Sequence, residues 1–229
     1  MPFYQLDRRL VFPRPELAED DGLLAVGGDL SQERLLLAYS QGIFPWYSDP
    51  YPILWWSPDP RLLLFTDELK VSRSLSQTLK KEVFSVTMDR AFEEVIRNCA
   101  AAPRKDVEGT WITEEMIEAY CALHRSGYAH SVECRREGRL VGGLYGVSLG
   151  AAFFGESMFA RESNASKVAL VSLALRLKKS GFLFIDCQVT TSHMLSMGAR
   201  EVPRETFMRL LGEALCRPTL RGDWGIDEP

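Results

Sequence analysis

Residues 129–159 read AHSVECRREGRLVGGLYGVSLGAAFFGESMF. Three apolar stretches, Ala129 to Cys134, Arg139 to Val147 and Ala151 to Phe159, are separated only by the turn signals Glu137-Gly138 and Leu149-Gly150. Connections that short hold a hairpin but no crossover, so the three strands pair antiparallel. Toward the carboxyl end, Asn164 stands where a cap belongs. Behind it Ala169, Leu170, Leu173, Ala174 and Leu177 form one helical stripe, which closes at Lys178-Lys179, where cations suit the helix dipole, and Gly181. Phe182-Leu183-Phe184-Ile185 is an apolar run of strand length leading into Asp186-Cys187-Gln188, and a last helix is expected over Glu205 to Cys216. Toward the amino end, Arg61 to Phe65 and Phe84 to Met88 read as strands. Ser72 to Lys81 and Asp89 to Cys99 read as helices capped by Ser72 and Asp89, and Thr113 opens a further helix that Gly127 stops. The reading is an α+β fold.

The first 60 residues differ in kind. Phe12-Pro13-Arg14-Pro15, Gly27-Gly28-Asp29, Gly42-Ile43-Phe44-Pro45-Trp46 and Trp55-Trp56-Ser57-Pro58-Asp59-Pro60 read as turn chemistry around one short helix, with Ser31 as its N-cap and Gly42 as its left-handed end. Pro58-Asp59-Pro60 is the best boundary, giving domains 1–60 and 61–229. A chain of 229 residues with 46% hydrophobic and 25% charged side chains can bury a core. Its longest apolar run, Val168 to Leu175, falls far short of the ~18 residues that suggest a membrane span. The amino terminus has no signal-peptide pattern, so a cytoplasmic protein is expected. Five scattered cysteines fit neither a disulfide framework nor a paired zinc site, and the three histidines lack metal-ligand spacing. The net charge of −4 excludes a uniformly basic coat. Residues 61–81, however, hold five basic and two acidic side chains, a local +3 that suits a polyanion or a solvated surface alike.

Strand alternation puts Asp186 and Gln188 on one face and Cys187 on the other, at a carboxyl end where α/β sheets gather ligands. The pair either faces a ligand there or ties down the following loop. Glu156 interrupts an apolar strand and so faces solvent or has a purpose inside. Phe153 and Met158 beside it suit an apolar pocket or plain core. Trp46, Trp55, Trp56 and Trp111 suit base stacking or a hydrophobic seam, and Arg73, Lys80 and Lys81 on one helix suit phosphates.

Taken together, Asp21 to Leu30, Gly42-Ile43-Phe44-Pro45-Trp46, Leu54 to Arg61, Gly109-Thr110-Trp111-Ile112, Leu140 to Gly146, Gly155-Glu156-Ser157-Met158-Phe159, Asn164-Ala165-Ser166-Lys167 and Ile185-Asp186-Cys187-Gln188 resemble the bacterial leucyl/phenylalanyl-tRNA–protein transferases, collinearly over about residues 6 to 211. The resemblance implies transfer of leucine or phenylalanine, and also methionine, from its tRNA to a protein beginning with Arg or Lys, which marks that protein for degradation. It also implies a small N-terminal domain on one similar to GCN5-related N-acetyltransferases, with a mixed, largely antiparallel sheet flanked by helices. By motif position Trp46 and Trp111 would hold the terminal adenosine. Phe153, Met158 and Ile185 would shape the amino-acid pocket, with Leu144, Leu173 and Leu177 on its side, and Arg73, Lys80 and Lys81 would face the tRNA. Asp186 and Gln188 would serve the reaction, and Glu156 would lie beside the acceptor amine.

An aminoacyl ester is already activated, so the reaction needs no ATP, metal, cofactor or covalent intermediate; the amine must be oriented and its proton accepted. The Gln188 amide oxygen suits that hydrogen bond, and Asp186 can polarise the amide. An acyl-CoA-dependent acetyltransferase would share the fold, but the R/Q-x-x-G-x-G/A loop that binds the CoA pyrophosphate is missing from the sequence. A noncatalytic RNA-binding module leaves Glu156, Asp186 and Gln188 without a role.

Overall fold

The computed structural model describes residues 4–48, 50–103 and 111–225. Its first 60 residues correct the sequence reading. Around the expected helix lie four strands, β1 (Tyr4–Leu6), β2 (Leu23–Gly27), β3 (Phe44–Pro45) and β4 (Leu54–Trp56), in the order β1-β2-β4-β3. Each is two to five residues long and crowded by Pro, Gly or Trp, too short for alternation to register.

Between Trp56 and Arg61 the chain passes into a second sheet. Its strands are β5 (Arg61–Phe65), β6 (Ser85–Met88), β7 (Ala129–Arg136), β8 (Arg139–Leu149), β9 (Ala152–Ala160), β10 (Phe184–Gln188) and β11 (Arg200–Val202), ordered β11-β5-β10-β9-β8-β7-β6. The sheet is mixed. β7, β8 and β9 form the expected antiparallel meander, whereas β9 and β10 run parallel. That parallel pair requires a crossover, which the helix at 165–179 supplies.

The helices are α1 (Gln32–Ser40), α2 (Arg73–Lys80), α3 (Phe92–Ala101), α4 (Glu114–Arg125), α5 (Ala165–Lys179), α6 (Ser192–Ser196) and α7 (Arg204–Leu215). Ser31, Ser72 and Thr113 cap α1, α2 and α4 through their hydroxyls, as their sequence positions require. Two expected caps are not made. Asp89 lies before the helix in a left-handed conformation and accepts from His130 and from the Ser131 N–H, so α3 begins at Phe92 without a side-chain cap. Asn164 is also left-handed, and its amide reaches Thr78 of α2, 3.4 Å away, leaving α5 to be held by its buried stripe.

Helices cover both faces of the large sheet. Leu75 of α2 and Val168, Leu170 and Leu173 of α5 pack on one face with Phe153 and Ile185. Leu35, Val95, Tyr120 and Phe207, from α1, α3, α4 and α7, pack on the other with Phe154. This second cluster runs unbroken into Leu24, Phe44 and Trp55 of the small sheet, so the first 60 residues share the core of the rest and supply a wall at its edge. Among the described residues no helix is long and apolar enough to cross a membrane.

Candidate active site

The parallel pairing of β9 and β10 stops early. Phe184, Ile185 and Asp186 pair with Ala152, Phe153 and Phe154, and beyond them the two strands part. β10 is also irregular there: its register against β5 shifts between Asp186 and Gln188, and Gln188 takes a left-handed backbone with φ of 62°. A bulge of this kind re-aims a side chain. The Gln188 amide is turned across the gap, where Nε2 donates to Glu156 Oε1 at 2.8 Å. Behind that bridge opens a cavity of about 370 Å³.

The cavity takes its walls from both faces of the sheet. Leu170 and Leu173 of α5 close one side with Phe153, Met158 and Ile185; Phe44, Trp46 and Trp111 close the other. Trp46, Trp111, Phe153, Met158, Ile185, Glu156 and Gln188, far apart in sequence, thus line one space. Leu144 and Leu173 line it too, whereas Leu177 is buried in the α5 core away from it. Trp46 is exposed at the mouth with its ring 5.8 Å from that of Trp56, and Trp55 is fully buried with its indole donating to the Gly27 carbonyl. The tryptophan cluster therefore divides into a buried anchor and an accessible ring. Gly109 and Thr110 of the motif around Trp111 lie outside the described residues.

Glu156 is 8% exposed and held by three neutral donors. Oε1 accepts from the Tyr39 hydroxyl at 2.8 Å as well as from Gln188, Oε2 accepts from the Tyr120 hydroxyl at 3.0 Å, and the two tyrosine hydroxyls touch each other. Burial pushes the Glu156 carboxyl up to about 7, against those hydrogen bonds, which favour the charged form. Burial, then the charge of Glu156, holds both tyrosine hydroxyls well above their ordinary range.

Asp186 does not reach the cavity. It is 0% exposed and forms a two-pronged ion pair with Arg61, Nε to Oδ1 at 2.9 Å and Nη2 to Oδ2 at 2.7 Å. Arg61 is itself held between the rings of Phe44 and Phe207. The Asp186 carboxylate also accepts the backbone N–H of Gln188 at 2.9 Å. This corrects the expectation that Asp186 polarises the Gln188 amide: the carboxylate fixes the backbone, and Glu156 fixes the side chain. Arg73 and Lys80 are exposed on α2 and Lys81 ends it, all away from the cavity and, among the described residues, without an ion-pair partner.

Arg61, Tyr39 and Tyr120 escaped the sequence reading. Arg61 carried one signal, a charge at the head of an otherwise apolar strand, while each tyrosine sits on an amphipathic helix as ordinary core.

The model of the leucyl/phenylalanyl-tRNA protein transferase family matches residues 63–212, and the model of that family's N-terminal domain matches 28–59. The chain belongs to this family. Among relatives carrying the family's name, that of Syntrophus aciditrophicus is 62% identical over 98% of this chain and 94% of its own length. That of Syntrophobacter fumaroxidans is 63% identical over 93% and 91%, and one from Anaeromyxobacter sp. strain Fw109-5 is 58% identical over 99% and 97%. The cavity and the Gln188–Glu156 bridge are therefore features of a leucyl/phenylalanyl-tRNA–protein transferase family member.

Proposed function

We propose that the gap between β9 and β10 is where this enzyme transfers leucine or phenylalanine from an aminoacyl-tRNA to the amino terminus of a protein. The observation that carries the assignment is the Gln188–Glu156 bridge. With Nε2 committed to Glu156, the amide oxygen is the atom left to accept a hydrogen bond from an attacking amine. The nitrogen bonds to the ester carbonyl carbon, the ester C–O bond breaks, and the displaced proton ends on the terminal ribose oxygen. Gln188 aligns the amine, Glu156 and Asp186 hold Gln188, and orientation supplies the acceleration. Phe153, Met158 and Ile185 receive the donor side chain, methionine included, and Trp46 and Trp111 stack on the terminal adenosine.

Glu156 is the single acidic side chain among the described residues lining the cavity, which supports acceptors that begin with Arg or Lys. Such products would enter amino-terminal degradation, in the cytoplasm. Arg73, Lys80 and Lys81 would meet the tRNA backbone. One parallel strand pair, joined by a crossing helix and parting at the site, supports an N-acetyltransferase-like fold for residues 61–229, with 1–60 as a small domain on it. No cofactor, metal or membrane is required by this reading.

Transfer of labelled leucine from leucyl-tRNA to a protein with N-terminal Arg, without ATP or CoA, is the expected result. Dependence on CoA would replace this reading with acetyl transfer, and tRNA binding without transfer would replace it with the RNA-binding reading.

A further inference from the structure

The chain does not end at α7. Residues 217–225 return across the molecule and bury Trp224, 3% exposed, in the same core cluster as Phe153. The path is anchored at three turns. Thr219 accepts the Gly150 N–H at 2.9 Å, the Gly222 N–H reaches the Gly127 carbonyl, and the Trp224 N–H donates to Asp89 at 2.8 Å. Two close approaches along this path need glycine: a Cβ at Gly127 would strike the Gly222 backbone, and one at Gly225 would strike the Met88 carbonyl. The Trp224 ring stacks on His130, centroids 3.7 Å apart, and its other ring neighbours are Phe182 and Phe153, at 6.1 and 6.0 Å.

Phe153 is fully buried and lines the cavity, whereas Trp224, which packs on it with ring centroids 6.0 Å apart, is not among the lining residues. Gly146 leaves it no sideways retreat, since even a Cβ there would meet the Phe153 ring. We propose that Trp224 is a specificity-positioning residue, a back stop that fixes Phe153 and thereby sets the depth of the donor pocket. The proposal rests on the reading of this cavity as the aminoacyl pocket. Removing the indole frees room into which Phe153 retreats, deepening the pocket in favour of larger donors.

The experiment is competition between leucyl- and phenylalanyl-tRNA for one acceptor protein with N-terminal Arg, using wild type, Trp224→Leu and Trp224→Phe, with thermal denaturation of each. Wild-type transfer is the prior condition: its failure defeats the reading of the cavity, not the role of Trp224. Given transfer, the phenylalanine-to-leucine ratio should rise at least about fivefold in Trp224→Leu and less than about twofold in Trp224→Phe, which keeps a ring on His130. Trp224→Leu with a lower melting temperature and an unchanged ratio would reduce Trp224 to packing and overturn the proposal. If Trp224→Leu does not fold, Trp224→Phe decides with tryptophanyl-tRNA added: a measurable gain in tryptophan transfer supports the back stop, and none overturns it.

Discussion

Two buried carboxylates sit on adjacent strands, and their surroundings have opposite chemistry. Asp186 on β10 faces a guanidinium, is sealed from solvent, and takes the Gln188 N–H as a further donor. Glu156 on β9 faces only neutral donors, two tyrosines and an amide, at the rim of a cavity. Held by the two-pronged pair with Arg61 and by the Gln188 N–H, Asp186 works as a structural pin beneath the bulge. A carboxyl held by neutral donors and raised to about 7 changes protonation near neutrality, at the wall of the cavity. Gln188 is tied to both, by backbone to one and by side chain to the other.

The contrast breaks most visibly at Asp186. Asp186→Ala leaves the Arg61 guanidinium buried between two rings without its carboxylate, a loss of about 3–5 kcal/mol in unfolding free energy by chemical denaturation. The double variant Arg61→Leu/Asp186→Leu should regain most of that stability; a double variant as unstable as the single would show that the ion pair is not the cause.

At Glu156 the sign is reversed. Its folded-state value lies above the ordinary carboxylate value, so the folded protein holds a proton that the unfolded chain has released, and stability falls as pH rises from about 4.5 toward 7. Glu156→Gln lacks that titration. Relative to wild type it should gain on the order of 2–3 kcal/mol between pH 5 and pH 7.5 and then level off. A parallel pH dependence for the two proteins would show that Glu156 titrates normally.

The meander of β7, β8 and β9, the stripe of α5 and the strand at 184–188 were legible in the sequence because each rests on local signals: glycine turns, a 3.6-residue period and an apolar run. The small sheet was not, since its strands of two to five residues pair across long stretches of chain. At the site, Glu156 and Gln188 stood out as polar residues ending or interrupting apolar strands. Arg61 meets Asp186 from 125 positions away and Tyr39 meets Glu156 from 117, and no local pattern records such meetings. Trp224 lies beyond the last family motif and reads as a tail until its burial is seen.

In the pocket proposed for the donor side chain, isoleucine, whose branch next to the ester widens the side chain where it enters, should lose about 1–3 kcal/mol against leucine in competition between the two aminoacyl-tRNAs. Equal use would refute the pocket assignment. The smallest effect belongs to α2, remote from both carboxylates. Replacing Lys80 and Lys81 with Ala should make the salt dependence of tRNA binding shallower by about two phosphate contacts, while Trp111→Ala weakens binding by about 1–3 kcal/mol with little change of slope. An unchanged slope in the lysine variant would place the tRNA elsewhere.

We propose that the Gln188 amide, held by Glu156 across the parted strands, aligns the attacking amine. Single-turnover transfer at saturating leucyl-tRNA tests it directly in wild type and Gln188→Ala, both checked for an unchanged melting temperature. The rate should be at least about tenfold lower in the variant, or roughly 1.4 kcal/mol in the barrier. A folded Gln188→Ala enzyme transferring leucine at the wild-type rate would contradict it.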